Sequence, residues 1–351
     1  MSSRHTAKSP ARHLGMQKLL RPKRFSTELL QSDRQFEFWR KVMSPLFDVT
    51  PALPADGGFR ASWRGFDLGV VQVAEFKSEP MRFVRNRLNA DLAAKNWCLT
   101  IVKQGAIESR VGETRVEVVP GTILINSLAG SFSGATSRIE CINLLLNRDF
   151  FFDMEEDIDA LLNVRLEGPA ARILSDFVLS SEKLFTALTI SETSLWIETF
   201  SHLLGAVLRQ PRKRPAFAQI PRDRVSIVLN YIRENLHSPA LGAQSICNAL
   251  RMSRRQLYYL LAPYGGVARL ITRKRLVAAC RALARSEDCR LISTVAYSLG
   301  FSDHAVFCKQ FREEFGFSPS DARESSICGY LPRMAKPSSL AQWWSNSVAS
   351  P

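Results

Sequence analysis

The spacing of apolar residues changes character along this chain. Residues 68–76 (LGVVQVAEF) and 97–102 (WCLTIV) are short runs rich in β-branched and aromatic side chains, the composition that suits a pleated, half-buried surface. Short apolar stretches then alternate with turn dipeptides: Gln104-Gly105, residues 106–111, Gly112-Glu113, residues 116–119, Pro120-Gly121 and residues 122–126. Such regular turn signals predict a small barrel or sandwich. Residues 139–146 add one more apolar strand, and an amphipathic helix is expected ahead of all of them at residues 35–46.

Beyond residue 147 the period becomes helical, with apolar residues three and four apart over 149–162, 170–184 and 191–208. In the last stretch Leu195, Ile197, Phe200, Leu203, Leu204, Val207 and Leu208 form a broad stripe, which suits either packing onto the strands or a dimer interface. Residues 210–224 (QPRKRPAFAQIPRDR) break the pattern with prolines and basic residues, as an interdomain linker does. Residues 225–322 are helical nearly throughout. The expected organisation is a basic disordered arm (1–24), a domain of strands followed by helices (25–209), a linker (210–223), a second domain (224–324) and a tail (325–351) in which the Trp343-Trp344 pair has no evident role.

Within 224–324 one pattern occurs twice: a short apolar helix, a tight turn, a small polar cap and a second helix with a polar outer face. In the first copy Ile246, Ala249 and Leu250 face inward, Arg251-Met252 turns, and Ser253 caps a helix that buries Leu257, Leu260 and Leu261. Arg254, Arg255, Tyr258 and Tyr259 are left outside. In the second, Val295 and Ala296 support, Gly300 supplies the turn, Ser302 or Asp303 caps, and Phe307, Phe311 and Phe315 recur every fourth residue as a buried stripe. His304, Ala305, Cys308, Lys309 and Arg312 face out. Between the copies, residues 269–285 read as one helix of about 25 Å, matched to holding two reading helices near the ~34 Å repeat of the major groove. No Asp or Glu occurs from Arg251 through Ser286, so Arg273 and Lys274 on this connector are expected to meet phosphates.

A formal net charge of +14 points to an anionic partner. The seven cysteines have no CxxC pair and read as reduced thiols, and residues 1–24 lack the apolar core of a signal peptide, so a cytoplasmic protein is expected, with no membrane association. Between His13 and His202 there is no histidine, which denies the strand region the imidazole ligands of a metal-binding barrel. Nucleotide, hydrolase and metalloprotease fingerprints are missing too. No cofactor, metal or catalytic residue is expected, and the protein reads as non-catalytic.

The stretch TVAYSLGFSDHAVFCKQFREEFGFSPSDAR, with its Gly300-Phe301 turn, Phe307, Phe311, Gly316, Pro319 and Arg323, resembles the DNA-binding domain of the AraC/XylS transcription regulators. That resemblance, with a looser one of residues 25–152 to cupin-like sensor domains, implies an α+β protein: an N-terminal cupin-like β-barrel with a helical segment, and a C-terminal all-α double helix-turn-helix domain. It implies double-stranded promoter DNA and RNA polymerase as partners, an unidentified small organic effector, a homodimer, and activation of transcription. It places base reading on Arg254, Arg255, Tyr258 and Tyr259 and on His304, Ala305, Cys308 and Lys309. Pro263 and a short segment at 265–268 depart from the family pattern and put the angle between the reading helices in question. Two other readings stay open. One is DNA repair by a reactive Cys98 or Cys141; the other is a regulator acting through protein contacts at 191–208 and the Trp pair. Trp63, Phe83, Arg85, Trp97 and Arg110 are of a kind that lines pockets but are equally at home in a core.

Overall fold

The computed structural model describes residues 19–54, 57–86, 96–148, 150–151, 154–189, 192–210, 224–283 and 288–327. The linker at 211–223, the tail with its Trp pair, and residues 1–18 of the basic arm lie outside the described residues. The N-terminal part runs β1 (Lys23–Ser26), α1 (Ser32–Met43), β2 (Asp48–Pro51), β3 (Ala61–Asp67), β4 (Val71–Ser78), β5 (Met81–Arg85), β6 (Asn96–Gln104), β7 (Ile107–Val111), β8 (Thr114–Val118), β9 (Ile123–Ser127), β10 (Phe132–Thr136) and β11 (Ile139–Asn147). The end of the arm is therefore not free. Lys23 and Arg24 pair with Gly65 and Arg64, and the Leu20 amide donates to the Leu188 carbonyl at 3.0 Å.

These strands form a six-stranded sheet, β1-β3-β4-β11-β6-β9, and a five-stranded sheet, β2-β5-β10-β7-β8, antiparallel throughout. Among the described residues no pairing closes the two into a barrel, so of the barrel and the sandwich that the turn signals allow, the structure is the sandwich.

The larger sheet is buried on both faces, which accounts for its continuous apolar runs. Trp97, Leu99 and Ile101 of β6 and Ile142, Leu144 and Leu146 of β11 point to one face, where α3 (Pro169–Ser181) and α4 (Thr193–Leu208) cover them. Cys98 and Val102 of β6 and Cys141 and Leu145 of β11 point to the other, against the smaller sheet. Trp196, Ile197, Phe200, Leu204 and Val207 of α4 join the first of these cores, so the stripe at 191–208 serves internal packing. Leu195, 67% exposed, is the exception. Among the described residues, the helix expected over 149–162 is the single turn and a half of α2 (Glu155–Asp159), followed by turns.

The C-terminal part is all helical: α5 (Arg224–Glu234), α6 (Ala243–Leu250), α7 (Arg254–Leu261), α8 (Val267–Leu283), α9 (Ile292–Ser298), α10 (His304–Phe315) and α11 (Pro319–Ile327). One core joins them. Leu257 and Leu261 of α7, Leu276 and Ala279 of α8 and Phe307 and Phe311 of α10 all belong to it.

Candidate nucleic-acid interface

Each outer helix is positioned by a turn whose backbone dictates its residues. After α6, Arg251 takes the left-handed conformation at φ 50°, and its amide closes onto the Cys247 carbonyl. Ser253 then accepts from the Gln256 amide at 3.2 Å while Gln256 Oε1 accepts from the Ser253 amide at 3.1 Å, a reciprocal cap that fixes where α7 begins. With Leu257 and Leu261 buried, Arg254, Arg255, Tyr258 and Tyr259 are all exposed, Tyr259 by 82%. Arg254 Nη2 donates to Gln244 Oε1 at 2.7 Å, which holds its guanidinium over α6. Beyond Leu261 the chain tightens into a 3-10 turn at Ala262–Tyr264 carrying Pro263, so the helix is short, as its proline requires.

In the second unit Gly300 is left-handed at φ 76°. Of the two candidate caps it is Asp303 that accepts from the Val306 amide, at 2.8 Å. Phe307, Phe311 and Phe315 are buried, with ring centroids 5.5 and 4.6 Å apart along the helix. Ala305, Lys309 and Arg312 are exposed on the outer face; His304 and Cys308 are half-buried, the thiol 3.6 Å from His304 Nε2. Burial raises the Cys308 thiol, so this position presents a neutral group. Sequence reasoning passed over Val306. It is 48% exposed beside Ala305, an apolar contact of the kind a thymine methyl takes.

The connector α8 corrects the sequence reading. Lys274 does not lie on the outer face: it is 6% exposed and its ammonium is 3.5 Å from Glu155. Arg273 is paired with Glu314 of α10 at 3.0 Å. Arg275 turns inward, donating from Nε to the Leu236 carbonyl at 3.0 Å, from Nη1 to Gly300 at 3.0 Å and from Nη2 to Ser238 at 2.6 Å. The charge run therefore overstates the phosphate-facing surface. Part of it is internal scaffolding, and the acid it lacks locally comes from elsewhere in the fold.

Between the two sheets of the sandwich lies a cavity of about 650 Å³ counted out to its open mouth. Met81, Phe83 and Phe132 wall it, and no Asp, Glu, His, Lys or Arg is among its lining residues. Three polar atoms of its lining residues, Ser78 Oγ, Ser109 Oγ and Asn143 Oδ1, are buried without a hydrogen-bond partner among the described residues. Of Trp63, Phe83, Arg85, Trp97 and Arg110, the side chains singled out as pocket-lining candidates, only Phe83 reaches it; Trp97 points to the opposite face of β6, and Arg85 is buried, donating to the carbonyls of Leu46 and Leu128. Cys98 and Cys141 line the cavity as inert thiols. Burial pushes Cys98 up to about 11 and Cys141 up to about 12, so neither is a thiolate at neutral pH.

Two capped helices standing outward from one helical core, joined by a single connector, define a double helix-turn-helix protein. Residues 246–325 match the family described as "Helix-turn-helix domain". The chain is 30% identical over 130 residues to the HTH-type transcriptional activator RhaS of Pectobacterium carotovorum subsp. carotovorum (strain PC1), covering 36% of this chain and 45% of that protein. It is 26% identical over 106 residues to the transcriptional activator RhrA of Rhizobium meliloti (strain 1021), covering 30% of this chain and 34% of that one. These matches thus span less than half of each relative. Among solved structures, the AraC-like transcriptional activator CuxR aligns over 74% of this chain and 95% of its own with a TM-score of 0.56 and 24% identity, which shows a shared fold. The C-terminal domain is a helix-turn-helix domain, carried behind a β-rich N-terminal domain. No helix among the described residues is long and apolar enough to cross a membrane.

Proposed function

We propose that this protein is a sequence-specific DNA-binding transcription regulator, an activator that responds to a small organic ligand. The observation that carries the reading is the exposure of two polar helix faces, Arg254, Arg255, Tyr258 and Tyr259 on α7 and Ala305, Lys309 and Arg312 on α10, each behind a side-chain cap that fixes it. A helix so presented enters a major groove, where arginine donates two hydrogen bonds to guanine and an exposed valine or alanine meets a thymine methyl. Two of them on one rigid core read successive turns of one DNA face. The matches to curated transcriptional activators support activation as the output. RNA polymerase and a second copy of the chain belong to this proposal as partners, on the strength of the AraC-type resemblance.

The cavity is the proposed effector site. Its aromatic walls, uncharged lining and three orphaned polar atoms favour an uncharged organic molecule that donates hydrogen bonds to Ser and Asn. The repair reading loses support, because both candidate thiols are held protonated by burial. The protein-contact reading loses the stripe at 191–208, which is largely spent on the sandwich core.

The deciding experiment is retention of sheared genomic DNA by the purified protein at fixed salt, with sequencing of the bound fragments and R255A/K309A run in parallel. Enrichment of paired motifs about 10 base pairs apart, blurred in the double variant, is the expected result. Retention without any motif would reduce the basic surface to nonspecific binding and remove the regulator reading.

A further inference from the structure

Two cations of the helix-turn-helix domain are directed away from it. Lys274 of α8 carries its ammonium to 3.5 Å from Glu155 Oε2, with the lysine side chain 8% exposed. On the same helix Arg281 Nη1 donates to the Phe150 carbonyl at 3.1 Å and lays its guanidinium over the Phe150 ring, 5.1 Å from the centroid. Positions seven apart on an α-helix return to the same side, so the two cations form one stripe of α8 facing the N-terminal domain. Both targets lie where the chain leaves β11 and enters α2.

Glu155 is shared. Its Oε1 is 3.4 Å from Arg148 Nη1, which is also 3.1 Å from Asp159 Oδ2. Arg148 Nη2 donates to Ser127 Oγ at 2.9 Å, and its guanidinium covers the Trp97 ring at 4.2 Å. Trp97 Nε1 in turn donates to Asp159 Oδ1 at 2.7 Å. Ser127 ends β9, next to Asn126, which lines the cavity. Arg148 Nε is buried with no partner among the described residues, so this guanidinium is held by several weak claims and saturated by none. A connected set of polar contacts thus runs from the end of β9, one residue from the cavity lining, to α8.

We propose that Phe150 and Glu155 form a latch that docks the connector helix onto the sensor domain, and that Arg148 sets its strength by competing with Lys274 for Glu155. Burying a lysine is costly unless an anion meets it, so moving Glu155 toward Arg148 weakens the docking and moving it toward Lys274 tightens it. The outer faces of α7 and α10 stay exposed with the latch closed, so the latch governs the angle at which the reading helices are carried and not their access. Docking stands on the contacts alone; its effect on DNA rests on the function proposed above.

The test is amide hydrogen exchange on the full-length chain, read in the domain opposite each substitution. E155Q is read in residues 267–283, and K274Q and R281A are read in residues 154–159. Loss of protection by about tenfold across the gap is expected, with the β4, β6 and β11 amides unchanged and K274Q/E155Q no worse than either single variant. F150L keeps an apolar side chain while removing the ring that Arg281 covers, and supplies the same cross-domain reading where K274Q folds poorly. Unchanged exchange across the gap, or strict additivity in the double variant, would overturn the latch. Specific-site affinity by fluorescence anisotropy supplies a second arm: a change of about threefold or more in E155Q supports control of orientation, and lost protection with unaltered affinity removes that control. Should the unsubstituted protein bind no DNA specifically, the exchange result still decides the latch, and it is the DNA-binding reading that fails.

Discussion

Two arginines adjacent on α7 have different prospects as readers. Arg254 is held by Gln244 at 2.7 Å, whereas exposed Arg255 makes no hydrogen bond or ion pair among the described residues. A guanidinium with all its donors available suits guanine, and one already engaged suits a fixed phosphate. R255A is therefore expected to weaken a preferred site by about 1–3 kcal/mol and to relax preference at one base. R254A should weaken all sequences alike, and competition anisotropy against single-base variants of the site separates the two outcomes. The cysteines give a prediction of the same kind. With Cys98 pushed up to about 11, its thiolate at pH 8 is about one part in a thousand, so iodoacetamide should modify exposed Cys289 and leave Cys98 and Cys141 untouched until the protein is denatured. Rapid labelling of Cys98 in the native protein, read by peptide mass spectrometry, would restore the repair hypothesis.

The junction between the two helix-turn-helix units depends on Arg275, whose guanidinium satisfies three carbonyls from the segment after α5 and from the turn before α10. R275A leaves those carbonyls without their charged donor and is expected to cost roughly 3 kcal/mol, seen as a lower urea midpoint, and R275K should recover little because an ammonium cannot span the same fork. G300A has two faults at once: φ of 76° disfavours a side chain, and its Cβ would stand 2.6 Å from Arg275 Nη2. The elements themselves were largely legible in the sequence. The Ser253 cap, the αL position at Gly300 and the Phe307, Phe311 and Phe315 stripe are local, and a local period reports them faithfully. β3 and β10 escaped because ASWRGFD and FSGAT carry too few β-branched residues; their partners in the sheets make them strands. The inward turn of Arg275 and the burial of Lys274 escaped for a related reason. The groups that receive them, Leu236, Ser238, Gly300 and Glu155, are remote in sequence, and no spacing rule encodes an encounter across that distance.

For the molecule as a whole, charge matters by where it is placed. The net +14 and the acid-free stretch from Arg251 through Ser286 together suggest a broad cationic face. The fold narrows it, because Arg273, Lys274, Arg275 and Arg281 are turned to Glu314, Glu155, backbone carbonyls and Phe150. What remains on the two reading helices is Arg254, Arg255, Lys309 and Arg312, with Lys309 only loosely tethered to Glu313 at 4.0 Å. Each phosphate neutralised releases condensed counterions, so the logarithm of the binding constant should fall by about 0.9 per decade of salt for every such contact. K309A is accordingly expected to make the salt slope shallower by about 0.9. K274A should leave the slope nearly unchanged, since its ammonium is committed to the sensor domain. Binding titrations across salt concentrations distinguish these cases. A slope that drops equally in K274A would mean that α8 swings free of Glu155 and meets the phosphates when DNA is bound, so that docking onto the sensor domain and docking onto DNA compete for the same lysine.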